Sequence, residues 1–221
     1  MLKKIFFALF AVALCQALTQ AQQPVNQNSY ENLLDRVKKQ DATVNFTDLR
    51  MAYTETKDYS PYGDAENRKA MFMALNAREY EKALAESDKI LASNYVDLNA
   101  HFVAFVAHRQ LGHADKSEYH QSIFKRLMQS IEGSGDGTTP KTAFVVISTD
   151  EEYVWFNYKG MKVTSQALIN DGGHSFDKMT ATDRETGETV VTFFNIDKPF
   201  NWLGNSLKQK AGETQSARPD Y

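Results

Sequence analysis

Five histidines are the main stock of groups in this chain able to move protons or bind a metal near neutral pH. His101 and His108 stand seven residues apart, which places both on one side of a single helix. His120 begins a stripe with Phe124, Leu127 and Ile131 at the spacing i, i+4, i+7, i+11. If helices over 97–111 and 113–132 fold back on each other at Gly112, His101 comes to lie near Phe124, one turn from His120. Two imidazoles sharing a patch form a metal or acid–base site if a carboxylate joins them. The candidates for that carboxylate are Glu151, Glu152 and Asp177. Glu151 and Glu152 open a predicted strand, so alternation sends one to each face. The inward one then needs a donor such as Arg126 or a histidine. Asp177, between Phe176 and Lys178 and near His174, has the same requirement. The candidate patch is therefore His101, His120, Glu151, Glu152 and Asp177, set against core-edge histidines bonded to carbonyls and a structural ion pair. No His-Glu-x-x-His run supports zinc, and neither a metal nor a cofactor is expected. Ser175 stands beside His174 without a nucleophile-elbow sequence around it.

The loop Gly133 to Lys141 has three glycines in five residues and invites a phosphate-loop reading. A phosphate loop follows a strand and opens a helix, and it needs glycine where Pro140 stands. This loop follows a helix and opens a strand, so nucleotide binding is excluded. Asp136 beside Gly137 falls short of the several oxygen ligands calcium takes. An interdomain linker over 133–141 is the expectation.

These groups must be positioned by two kinds of pattern. Before the loop, apolar residues recur at helical spacing; after it they come in short β-branched and aromatic runs. Helices are expected from Ser29, from Thr47 or Asp48, and over 64–76, 79–92, 97–111 and 113–132. Ala77-Arg-Glu-Tyr-Glu-Lys-Ala and Leu111-Gly-His-Ala-Asp-Lys-Ser lie 34 residues apart, the tetratricopeptide period. No tryptophan marks the first helix and no proline closes the repeat, so the helices over 29–132 read as degenerate tetratricopeptide-like hairpins. Strands are predicted at Ala143–Ser148, Glu152–Tyr158, Met161–Ile169, Ser175–Thr182 and Thr189–Ile196. Glu185-Thr-Gly-Glu marks a hairpin turn. A short helix from Pro199 through Leu207 ends the β half at 142–208, and 209–221 read as a disordered tail. The fold class is α+β, with the helical hairpins packed on a C-terminal antiparallel β-meander, because Val145, Val146, Phe193 and Phe194 need a cover.

The first residues point to export. Lys3 and Lys4 precede an apolar run from Ile5 to Leu14, about half the ~20 residues of a membrane helix. Residues 1–21 read as a signal peptide cleaved after Ala21, giving a periplasmic or secreted protein with no membrane span. Lipid attachment at Cys15 is disfavoured by the bulky Leu14. Cleavage leaves 23 basic and 28 acidic residues, a net charge of −5, and no cysteine. With 42% hydrophobic residues a core is affordable, and no basic face marks a nucleic-acid partner.

Several stretches taken together carry a resemblance. They are Asp48-Leu-Arg, Ala100-His101, Tyr119-His120, Ser134-Gly-Asp-Gly through Ala143, Glu151-Glu-Tyr, and Phe194-Asn-Ile-Asp. Over most of residues 45–197 the chain resembles a bacterial family of secreted proteins known only as a domain of unknown function. The resemblance implies one evolutionary unit and a secreted location, and it brings no activity. The expectation is an exported, non-catalytic binding or assembly protein whose surface is the junction of the helical and β halves. Its partner would be a peptide or an envelope protein. The alternative is a small hydrolase or metal-dependent enzyme using His101, His120 and Glu151 or Glu152.

Overall fold

The computed structural model describes residues 28–216. The signal sequence, the cleavage point at Ala21, Cys15 and residues 217–221 lie outside the described residues. Helices α1 (Tyr30–Lys38) and α2 (Phe46–Tyr53) lead into four longer ones, α3 (Ala65–Asn76), α4 (Tyr80–Ser93), α5 (Leu98–Gln110) and α6 (Ala114–Glu132). Side-chain caps fix several of their starts. Asn45, rather than Thr47 or Asp48, caps α2 by accepting from the Thr47 N–H at 2.8 Å, and Asp97 accepts from the Ala100 N–H at 2.9 Å.

The 34-residue period is visible in the backbone. Arg78 and Gly112 occupy equivalent turns between α3 and α4 and between α5 and α6, with φ of 62° and 75°. Each turn closes with the same bond, from the Glu79 N–H to Ala74 and from the His113 N–H to His108. Ala83 and Ser117, the small residues at matching positions, are both buried. Gly112 takes the left-handed backbone at no steric cost, whereas Arg78 takes it as a non-glycine residue.

The second half departs from an all-β meander. The sheet contains β1 (Phe144–Val145), β2 (Met161–Asp171), β3 (His174–Asp183) and β4 (Thr189–Asn195) in the order β1-β4-β3-β2. β2, β3 and β4 form antiparallel hairpins, but β1 runs parallel to β4, so the sheet is mixed. Residues Thr149–Tyr158 form helix α7, not the predicted second strand. The β-favouring residues Tyr153, Val154, Trp155 and Phe156 suggested a strand. Acidic residues at 150, 151 and 152 in the first turn favour the helix start, and Glu151, Glu152, Trp155 and Phe156 bury one helical face.

The glycine loop is not a free linker either. Pro140–Thr142 is a turn of 3₁₀ helix, and the Gly137 carbonyl accepts from the Phe193 N–H of β4 at 2.8 Å. A Cβ on Gly137 would lie 2.5 Å from the Phe144 ring, at a φ of 69°. Glycine is required there by both space and backbone. Helix α8 (Asp197–Ser216) starts two residues before the predicted Pro199 and runs past Leu207 into the stretch read as a disordered tail. One buried cluster runs from Leu33 in α1 to Ile196 after β4, so helices and sheet share a single core. No helix among the described residues is long and apolar enough to cross a membrane.

Candidate functional site

The α5–α6 hairpin brings four histidines together. His101 and His120 approach at 2.9 Å between Nδ1 atoms, and His108 and His113 at 3.2 Å. The His108 and His120 rings stack with centroids 5.6 Å apart, which joins the two pairs. His101 is fully buried, and its Nε2 lies 2.8 Å from the Tyr95 carbonyl. A carbonyl only accepts, so His101 carries its proton on Nε2 and offers the Nδ1 lone pair. His120 must then donate its Nδ1–H to His101. Burial and the neighbouring His120 hold His101 down at about 3, and burial with His108 and Lys116 holds His120 at about 4. Both imidazoles are neutral at pH 7.

None of the candidate acids Glu151, Glu152 and Asp177 joins them. Glu151 is taken by Arg50, which reaches it from α2 with Nε to Oε1 at 3.1 Å and Nη2 to Oε2 at 2.5 Å. The same guanidinium donates to Ser130 Oγ on α6 and to the Val145 carbonyl on β1. Glu151 Oε2 also accepts from the Ile147 N–H at 2.9 Å. That bond diverts the Ile147 amide from the sheet and helps explain why β1 is so short. Arg126, the partner proposed from the sequence, instead donates to the Ala42 and Val44 carbonyls and lies over the Phe46 ring. Both glutamates point inward because they sit on a helix, not on opposite faces of a strand.

Glu152 belongs with Asp177. Glu152 is wholly buried, and its carboxyl oxygens lack a well-formed hydrogen bond. Burial, with the Asp177 carboxylate beside it, raises it to about 9. Burial also raises Asp177, against the Gln166 amide that donates to it at 2.7 Å. Gln166 accepts in turn from the exposed Tyr153 hydroxyl at 2.7 Å. Glu152 therefore holds its proton at pH 7 next to Asp177. The unfolded chain releases that proton above 4.5, so this group's contribution is complete below 4.5 and is lost as pH rises towards 9. Glu152→Gln is expected to stabilise the protein by about 3 kcal/mol at pH 7 and to flatten that decline. Urea unfolding at acid, neutral and alkaline pH checks it; parallel pH profiles for the two proteins would rule it out.

The five candidate residues thus divide into a histidine cluster, a buried ion pair and a buried carboxyl pair, and no hydrogen bond or ion pair among the described residues links the histidines to the acids. Ser175 and His174 are engaged by Asp197, which accepts from the Ser175 N–H at 2.8 Å and contacts His174 Nδ1 at 2.6 Å. No group of three or more His, Cys, Asp or Glu among the described residues is arranged to hold a metal ion. His113 and Arg50 were missed by sequence reasoning. His113 had a signal: His113 and His120 repeat the seven-residue spacing of His101 and His108 on the facing helix. Arg50 stood in the Asp48-Leu-Arg stretch of the resemblance, but nothing local pointed to its partner, which lies 101 residues away.

One open feature lies at the seam between the helices and α7. Phe72, Asn99, Phe102, Phe124, Val154 and Tyr158 line a groove of about 280 Å³, together with Asn157. Phe102 and Tyr158 remain 39% and 51% exposed, and both rings pack on Phe124.

Fold and site define an α+β protein whose ionisable groups are tied together across the seams between its elements. Residues 19–203 match the family described as a domain of unknown function (DUF4919), and the chain belongs to that family. No curated protein and no solved structure matches it. The stretches that carry the family resemblance meet one another in space. Arg50 binds Glu151, His101 meets His120, and Gly137 bonds to Phe193 beside Phe194.

Proposed function

We propose that this is an exported, non-catalytic binding or assembly protein that takes an apolar segment of a peptide or envelope protein at the junction of its helical and sheet halves. The observation that carries this reading is the aromatic groove between α3, α5, α6 and α7, with two partly exposed rings and two asparagines at its wall. Apolar walls with a few polar groups suit a groove that binds through burial and orients through hydrogen bonds. Its volume accommodates one or two large side chains. None of the candidate ionisable residues lines the groove, and Glu151 and His101 are engaged by Arg50 and His120 instead, which supports a scaffold more than a reaction centre.

The test places a photocrosslinking residue at position 158 of the exported protein in its own cells. The expected result is a discrete crosslinked partner that disappears when Phe102→Asp is added, since a buried charge in the groove costs several kcal/mol. An exported protein that crosslinks to nothing, or that turns over a generic ester or peptide, would overturn the binding assignment.

A further inference from the structure

We propose that the free edge of β2 is a self-association surface on which a second copy of this chain pairs antiparallel, centred on Ala167. β2 is one of the two outer strands of the sheet and, at eleven residues, the longest of its four. Edge strands are normally protected by central charges or proline. From Val163 to Asn170 this edge carries neither, and Leu168 is 52% exposed. Charge stands only at the two ends, Lys162 and Asp171. Both are exposed, and neither side chain has a hydrogen bond or ion pair among the described residues.

The register makes these two charges complementary between copies. Lys162, Ala167 and Asp171 lie opposite Thr182, Lys178 and His174 of β3. Thr182 and His174 are each four residues from Lys178, so Lys162 and Asp171 share one face of the sheet and are equally far from Ala167. The one irregularity is the bulge at Thr164, between Val163 and Ser165. When two β2 strands run antiparallel about Ala167, Gln166 meets Leu168 and Ser165 meets Ile169. Thr164 is skipped, Val163 meets Asn170, and Lys162 meets Asp171. Every pair then has both side chains on the same face, which an antiparallel ladder requires. A two-fold axis at Ala167 produces two Lys162–Asp171 pairs, covers both Leu168 side chains and joins the two sheets. The same surface is used by both copies, as a closed two-fold dimer demands. A bulge usually turns an edge away from partners; here its two-fold copy falls in register and is accommodated.

The experiment is sedimentation over a concentration series of the purified full-length exported protein, with Lys162→Glu, Asp171→Lys and the combination of both. Each single change sets like charges against each other twice per dimer and is expected to weaken association about tenfold. The combined exchange restores opposite charges and is expected to return affinity to within a factor of about three of wild type. Both positions are exposed, and melting curves of all four proteins separate association from folding. Hydrogen exchange supplies a second readout, with amides of 163–170 becoming protected as concentration rises. A wild type that stays monomeric at high concentration, single variants that associate as tightly as wild type, or a combined variant no tighter than the singles would each overturn the proposal. So would exchange in β2 that does not depend on concentration.

Discussion

Arg50→Ala is expected to destabilise the protein by about 3–5 kcal/mol, the usual consequence of removing one partner of a buried ion pair. Arg50 and Glu151 are almost completely buried, so the glutamate left behind is a charge without a counter-ion. The loss is not confined to one contact. The guanidinium ties α2 to α6 through Ser130, to β1 through the Val145 carbonyl, and to α7 through Glu151. Tyr59 adds a nearby tie, its hydroxyl donating to the Ile147 carbonyl at 2.7 Å. Domains of this size are stable by about 5–15 kcal/mol, so the variant should be folded only marginally. Urea denaturation of wild type, Arg50→Ala and Arg50→Met with Glu151→Leu measures it. The apolar pair should recover part of the loss, because it removes the orphaned charge but leaves the Ile147 N–H and Val145 carbonyl without their partners. A cost below about 1 kcal/mol for Arg50→Ala would mean that the pair is not what joins the layers.

Acid should unfold the protein through its histidines. His101 and His120 are depressed from 6.5 to about 3 and about 4, so the unfolded chain takes up protons that the folded chain refuses. Their contribution is complete above 6.5 and is lost as pH falls through the folded values. For His101 alone the loss approaches about 5 kcal/mol by pH 3, and the two sites titrate as a coupled pair. The hydrogen-bond pattern supplies the cause. A protonated His101 turns its Nδ1 from acceptor to donor, facing the Nδ1–H of His120 at 2.9 Å. Lys116 adds positive charge on the same side, and His108 against His120 opposes a second proton there, with Asp88 countering Lys116 at His108. The measurement is stability against pH from 7 to 3 for wild type and for His101→Gln combined with His120→Gln. The wild type should fall steeply below pH 6, and the variant, less stable at pH 7, should fall more gently. Equal slopes would assign acid unfolding to other groups.

The sequence determined the elements wherever a local physical signal was strong. Helical periodicity and the left-handed turns at Arg78 and Gly112 determined the α3–α6 stack and thereby brought His101 against His120. The turns after Asp171 and at Glu185-Thr-Gly-Glu determined β2, β3 and β4, because tight turns leave antiparallel pairing as the short connection. The tertiary structure decided what local signals leave open. Residues 149–158 combine β-favouring aromatics with an acidic helix start, and the balance was settled by burying Glu151 against Arg50 and Trp155 against Phe144 and Phe194. β1 takes the edge beside β4 and runs parallel to it, a pairing between segments about 50 residues apart that only the assembled layers define. The grouping of the acids was decided in the same way. Glu151 and Glu152 are neighbours in sequence, yet one faces a guanidinium from α2 and the other a carboxylate from β3. Which charge a side chain meets depends on packing between distant segments, and an isolated segment carries no record of that packing.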